Sequence, residues 1–362
     1  MANTKTYRVA SGTGLQYGAL LTSTREKLHK AGVPQDAIFE AIPTLNAMRN
    51  KGGFKDSKGG GEVIRINIMM EQNTLGKSYN GLEAATMGTF DPFTIAYERW
   101  ATYEWPTVIS GPDIFKNGGG SKIFDLQAQL EEVTYMSAAE NINRDLWDIA
   151  NITTSAGTTG NGGKNINSIP LLIVKVPTTS NVCHGITTAT SANTWWANRA
   201  VDAADTNTAA TYTQSIRSLV NTCNRGRSAG KVDLLVFDQV SYELLEQALD
   251  NKVQYMSTDS ASPGFKSINF KGCECIWDCY VPDAENGSNG GPDVTLTKGS
   301  MYALSSSAMT FHVGKDFEPT PYMKGTYNGQ DGMASLTLFY GQLTTHARRN
   351  LGVLYEIPLT LS

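Results

Sequence analysis

The stretch Glu62-Val-Ile-Arg-Ile-Asn-Ile-Met-Met70 places Ile64, Ile66, Ile68 and Met70 at every second position, with Arg65 and Asn67 between them. A period of two marks a half-buried strand, because successive side chains leave a strand on opposite faces. A second run of the same period extends from Phe90 to Ile109, with Phe93, Ile95, Tyr97, Ala101, Tyr103 and Trp105 in phase. Residues 72–88 between them are polar and hold Gly76, Gly81 and Gly88, so the pattern predicts a long hairpin with a pliable tip. Two strands alone are marginal in water and leave their edges open to pairing. The apolar side chains of the hairpin therefore need another surface, and a neighbouring subunit is the expected supplier.

Toward the N-terminus, residues 1–20 read as an irregular Gly- and Thr-rich lead. Two short helices are expected over residues 26–31 and 34–48, the second with Ile38, Ile42, Leu45 and Met48 on one stripe. Gly52, Gly53, Gly59, Gly60 and Gly61 then break the chain before the hairpin. Residues 1–61 carry nine bases and four acids, a net of +5, which leaves −9 for the rest of a chain whose formal charge is −4. A basic arm on an acidic body suggests docking on acidic surface, of its own chain or of a neighbour, although a solvated charged face has the same composition.

Toward the C-terminus, Ser121 can cap a helix in which Ile123, Leu126, Leu130, Val133, Met136, Ala139, Ile142, Leu146 and Ile149 recur at spacings of three and four. Residues 121–150 would make a rod of roughly 45 Å. That segment has two bases and six acids, Glu131 and Glu132 among them, so it offers acidic surface to arm bases such as Arg25 and Lys27. A polar stretch, 151–168, precedes an apolar run at 169–176 that reads as a buried strand. Residues 178–211 are of low complexity, interrupted by Trp195 and Trp196, which read as packing anchors. From Tyr212 the pattern becomes regular: a helix to about Arg227, a strand at 232–237, a helix at 240–250, and strands near 267–277 and 301–313. This reads as an α+β unit, followed by a long strand signal over 334–348 that continues to Ile357.

At 362 residues the chain has length for two domains or one elaborated one. With 18% charged and 40% hydrophobic residues and 35 glycines, it is not the composition of a disordered chain. The longest apolar stretch, Ile169 to Val174, is far short of the roughly 18 residues that a membrane span needs. The first twenty residues show no apolar signal core, so synthesis in a cytoplasm is expected.

Searches for catalytic spacing return little. The Gly76-Lys77-Ser78 triplet resembles the end of a phosphate-binding loop, but Glu71 stands where that motif requires glycine. His29, His184, His312 and His346 lie far apart, and no metal-binding histidine pair or Gly-x-Ser-x-Gly elbow occurs. A triad assembled from distant residues stays open, with nothing arguing for it. Cys273, Cys275, Trp277 and Cys279 share one parity, opposite Glu274 and Asp278. The thiols read as small buried hydrophobes; a zinc site would need a fourth ligand and wider cysteine gaps. No basic patch interleaved with aromatics points to sequence-specific nucleic-acid readout.

The order of these elements, together with several short stretches, resembles the tailed-bacteriophage major capsid proteins of the Hong Kong 97-type fold. The stretches are Asp36-Ala-Ile-Phe39 with Ile42-Pro43 and Lys51-Gly-Gly53; Gly59-Gly-Gly-Glu-Val63; Ser78-Tyr-Asn-Gly81; Gly185-Ile186 followed by Asn193-Thr-Trp-Trp-Ala-Asn198; and Asn350-Leu-Gly-Val353. The resemblance implies an N-terminal arm (1–61), an extended E-loop (62–110), a peripheral domain (111–185) with its spine helix, an axial domain (186–321) and a return to the peripheral domain (322–362). It implies a structural role without catalytic, cofactor or metal residues: self-assembly through pentamers and hexamers into an icosahedral shell around double-stranded DNA held by non-specific contact, in a virion, with no membrane partner. A scaffolding segment does not fit in the short arm, so scaffolding, portal or decoration proteins would be separate chains.

The inter-subunit residues expected on this reading are Ile64, Ile66, Ile68, Lys77, Tyr79, Phe93, Ile95 and Tyr97 on the hairpin, Glu131 and Glu132 on the long helix, and Arg25 and Lys27 on the arm. Some relatives weld an E-loop lysine to a neighbour's asparagine; Lys77 is the one lysine near this tip, and it reads as a solvated side chain. An encapsulin, a cellular shell of the same fold that holds protein cargo, is the alternative. A cytoplasmic enzyme with a dispersed site is a further one.

Overall fold

The computed structural model describes residues 42–57, 61–84, 87–116, 126–148, 164–177, 182–188, 191–203, 208–225, 231–249, 268–282, 298–319, 323–324, 331–358 and 360. The expected helices over 26–31 and most of 34–48, the Ser121 cap, and the arm residues Arg25 and Lys27 lie outside the described residues. The chain divides into two compact units, one of residues 1–40, 103–140 and 315–339, the other of residues 41–102, 141–314 and 340–362.

The larger unit is built on a six-stranded mixed sheet in the order β7-β15-β11-β8-β10-β9. Its strands are β7 (Arg199–Asp202), β8 (Leu234–Phe237), β9 (Ile268–Phe270), β10 (Cys273–Trp277), β11 (Gly299–Leu304) and β15 (Gly352–Ile357). All four residues of β8 and all six of β11 are buried, so both faces of the sheet are covered and an uninterrupted apolar run replaces alternation. Helices α5 (Ala209–Cys223) and α6 (Gln239–Leu249) contribute Tyr212, Ile216, Leu219, Val220 and Leu245 to a core with Leu235, Phe237, Met301 and Leu354. The first of these helices starts on Thr208, whose hydroxyl accepts from the Thr211 N–H while the Thr211 hydroxyl accepts from the Thr208 N–H. Cys273 and Cys275 are buried in the same core as small hydrophobes, and the Cys273 thiol donates to the Val232 carbonyl at 3.2 Å. The last strand, β15, sits inside this sheet between β7 and β11, whereas the resemblance assigns its residues to the peripheral domain.

Helix α1 (Pro43–Asn50) opens on a proline whose fixed φ suits a first turn. It ends because Gly52 takes a φ of +75°, which lets the Gly53 N–H reach back to the Met48 carbonyl at 2.9 Å. This accounts for the paired glycines after Lys51. Short strand β1 (Phe54–Asp56) then runs parallel to β12 (Met309–Pro319), with the Phe54 and Phe311 rings stacked at 4.9 Å. Lys51, one of the bases counted in the arm, pairs with Glu274 of its own chain at 3.0 Å.

The apolar run at 169–176 is a correction to the sequence reading. Ile169–Leu172 forms a single buried helical turn, α4, and no strand. Ser168 caps it by accepting from the Leu171 N–H, and Pro170 fixes the first-turn φ. The chain beyond is held by Asn198, whose side chain accepts from the Val174 N–H at 3.3 Å and donates to the Val174 carbonyl at 2.8 Å. Trp196 is buried, its indole N–H on the Cys183 carbonyl at 3.3 Å, an anchor as the sequence suggested.

Strands β4 (Ala101–Ser110) and β13 (Met323–Lys324) both pair with β14 (Gly332–Thr345), and a short helix α2 (Gly111–Lys116) follows β4. Tyr103 and Trp105 stack at 5.7 Å, with Phe339 beside Tyr103. The long helix α3 runs from Leu126 to Leu146, so it stops short of the expected Ile149. Thr134 on this helix donates to the Leu130 carbonyl and accepts from Thr107 of β4 at 3.0 Å.

Candidate assembly face and its anchor

The predicted hairpin is present: β2 (Val63–Met69) pairs antiparallel with β3 (Phe93–Arg99), from Val63 opposite Arg99 to Met69 opposite Phe93. The Met70 N–H donates to the Pro92 carbonyl at 2.8 Å and closes the ladder, beyond which the described residues 71–84 and 87–92 are in no strand and Gly81 takes a φ of +61°.

Residues opposite one another in a ladder share a face. Ile64, Ile66 and Ile68 thus share theirs with Glu98, Ala96 and Thr94, and the three isoleucines are buried within the chain. Arg65, Asn67 and Met69 share the other with Tyr97, Ile95 and Phe93. The sequence reading put both apolar trios in one interface; the structure puts them on opposite faces, and only one trio is open. Met69, Phe93, Ile95 and Tyr97 are 68%, 64%, 47% and 51% exposed, a contiguous apolar surface with no cover. Covering such side chains would stabilise an association by about 1–2 kcal/mol each, from the area removed from water.

The apparent continuity from Phe93 to Trp105 has a related explanation. Odd positions are exposed in β3, yet Ala101, Thr107 and Ile109 are buried in β4. The phase is unbroken but the partner changes at Trp100, where the chain leaves β2 and joins β14. Trp100 itself donates its indole N–H to the Gly61 carbonyl at 3.0 Å, tying the two ends of the hairpin root together.

Lys77 and Tyr79 are exposed in the tip; Glu132 is exposed and Glu131 half-buried on α3.

Under the hairpin root lies a buried polar network that the sequence did not reveal. His184, between β5 (Val182–Cys183) and β6 (Ile186–Thr187), places its Nδ1 2.7 Å from Glu98 Oε2. Its Nε2 accepts the Thr345 N–H at 3.0 Å. Gln342 donates to the Arg99 carbonyl at 2.9 Å and accepts from the Asn167 N–H at 2.7 Å, while the Asn167 amide donates to the Leu343 carbonyl at 3.0 Å. Burial pushes the Glu98 carboxyl up, but hydrogen bonds from His184, Asn167 and the Arg99 N–H work against this and hold it below its ordinary value. Cys183, His184 and Glu98 are arranged like nucleophile, base and orienting acid. The ring nitrogen that a base would use is already occupied by the Thr345 amide, and both Cys183 and His184 are buried, so this trio is a structural anchor.

A second buried node centres on Asp278, just after β10. Its carboxylate accepts from the Thr44 hydroxyl at 2.6 Å, from the Asn143 amide at 3.1 Å and from the Tyr280 N–H at 3.1 Å. Burial nevertheless outweighs these donors, and the carboxyl is pushed above its ordinary value.

No family model matches the chain, and no curated protein sequence matches it. Solved structures do. The chain is similar to the cyanophage A-1(L) capsid asymmetric unit, at 12% identity over 90% of this chain and 95% of that one, with a TM-score of 0.56. It is similar to the capsid of the native GTA particle, at 9% identity over 90% and 95%, with a TM-score of 0.57. It is also similar to the holo-SrpI encapsulin complex of Synechococcus elongatus PCC 7942, at 10% identity over 96% and 98%, with a TM-score of 0.51. At such identities the likeness is one of fold, and the chain has the mixed helix-and-strand fold of these shell subunits.

Proposed function

We propose that this chain is the major capsid protein of a tailed bacteriophage, a structural subunit that assembles through pentamers and hexamers into an icosahedral shell around double-stranded DNA. The observation that carries this reading is the near end-to-end likeness of fold to a cyanophage capsid subunit. The uncovered face of the hairpin agrees with it. An isolated two-stranded ladder with four exposed large apolar side chains gives up little in a free subunit and gains its return when a neighbour covers them.

On this reading residues 1–61 are the arm, 62–110 the E-loop, 111–185 and 322–351 the peripheral domain, and 186–321 together with β15 the axial domain. Phe93, Ile95 and Tyr97, with Met69, form the apolar core of the hairpin contact. Lys77, Tyr79, Glu131, Glu132, Arg25 and Lys27 form its polar surroundings, where charge sets register and encounter rate more than affinity. Contact with DNA is through the backbone and carries no sequence preference.

The encapsulin likeness makes a cellular shell with protein cargo the second reading. Expression of the full chain followed by negative-stain imaging and nuclease treatment separates the outcomes. Closed icosahedral particles that protect phage DNA in an infected host support the proposal. Particles that enclose protein and no nucleic acid favour the cargo shell. A monomer at every concentration overturns both.

A further inference from the structure

We propose that the Glu98–His184 pair is an acid-released latch, which holds the root of the hairpin to the body of its own unit and frees the hairpin when the carboxylate takes up a proton. The argument starts from how fully this pair is determined. His184 is buried and sits at a φ of +51°, a conformation that a side-chain-bearing residue rarely adopts, with Gly185 following at +80°. Backbone strain of this kind persists where surrounding bonds fix it. Here both ring nitrogens are used, Nδ1 on Glu98 and Nε2 on the Thr345 N–H.

The Thr345 amide aims its hydrogen at Nε2, so that nitrogen carries no proton; the ring is neutral and donates from Nδ1 to the carboxylate. The other carboxylate oxygen accepts the Arg99 N–H at 3.2 Å. A proton on Glu98 takes one of the two oxygens that now accept, so either Nδ1–H or the Arg99 N–H meets a hydroxyl, and the charge-assisted bond to the ring is weakened.

The position of the latch matters as much as its chemistry. Glu98 stands opposite Ile64, one residue before the leg leaves its ladder at Arg99. The groups facing it are His184 and Cys183 from the β5–β6 turn, Asn167, and Gln342 from β14 on the adjacent carbonyl; Arg348 lies beside Cys183 and His312 toward His184. Arg65 and Arg99 point to the exposed side of the hairpin. The polar bonds of His184, Gln342 and Trp100 hold this root, whereas the six-stranded sheet rests on an apolar core, with the buried carboxylates of Asp238 and Asp278 at its strand ends. Protonation of Glu98 therefore loosens the root and leaves the apolar core of the sheet as it is. The Glu98 carboxyl lies below its ordinary value in the folded chain, so the latch is closed above the ordinary carboxylate range and opens as pH falls through the lowered value.

This inference concerns a single subunit and holds whether or not the chain builds a shell. The test is hydrogen–deuterium exchange on the purified full chain. Glu98→Gln imitates the protonated acid at neutral pH. Exchange in 63–69 and 93–99 should rise about tenfold while 209–223 and 234–237 keep their protection. Acid should release the wild-type hairpin before the sheet and should add nothing further in E98Q. Unchanged hairpin protection in E98Q overturns the proposal, as does joint opening of hairpin and sheet. Should E98Q fail to fold, the wild-type acid series decides alone: early loss at the hairpin supports the latch, and simultaneous loss refutes it.

Discussion

The Thr44 hydroxyl donates to the Asp278 carboxylate at 2.6 Å across 234 positions of sequence. The bond is buried and pins helix α1 to the end of β10, beside the exposed-edge pair Lys51–Glu274. Replacing Thr44 by Val keeps the shape and removes the donor. The carboxylate, already pushed up by burial, then loses its shortest bond. Chemical unfolding should show a loss of about 1–3 kcal/mol with an unchanged denaturant slope. A midpoint equal to wild type would show that this node contributes nothing to stability.

The two faces of the hairpin call for opposite outcomes from the same chemical change. Ile95→Asp places a carboxylate on the open face and should leave subunit stability within about 0.5 kcal/mol of wild type, since the site is solvated. It should abolish particle formation, read by sedimentation and negative stain. Ile66→Asp buries an unpaired charge and should unfold or strongly destabilise the subunit. If I95D forms normal particles, the open face is not the assembly contact.

How much of this was legible in the residues depends on range. Alternation over 62–70 and 90–109 predicts a hairpin because a period of two is a local property. It cannot say which alternate set faces the body, nor that the partner changes at Trp100, because those depend on strands more than 200 positions away. The run Ile169–Leu172 lacks a period, and Ser168 with Pro170 was the available helix signal. Glu98 and His184 lie 86 positions apart, a separation that spacing rules do not reach. The closing Asn-Leu-Gly-Val stretch did carry information, since its glycine has a steric reason.

A Cβ on Gly352 would lie 2.7 Å from Cys223 Sγ and 2.8 Å from Leu219 Cδ1, so β15 approaches α5 more closely than any side chain permits. Gly352→Ala should cost about 1–3 kcal/mol through overpacking. The pair G352A/C223A should recover part of that loss, because the sulfur is one of the two obstacles. Thermal melts of the two singles and the double measure the coupling, and strict additivity would count against this steric account.

His312 supplies a pH dependence at mildly acidic values, distinct from the carboxyl effects. Its Nδ1 lies 2.9 Å from the Ser57 hydroxyl, and it stands on β12 opposite Lys55 of β1. Burial lowers its pKa first, and the Lys55 charge lowers it further; burial lowers His346 as well. A base with a depressed folded pKa binds protons more readily in the unfolded chain. Its contribution is therefore complete above the ordinary histidine value and is lost as pH falls below it toward the folded value. Melting temperature should decline over that interval, before the lowered Glu98 carboxyl titrates. Replacing His312 with Gln, which can still meet Ser57, should flatten the decline while leaving the neutral-pH melt close to wild type. An equally steep decline in H312Q would assign the slope to His346 or to other groups.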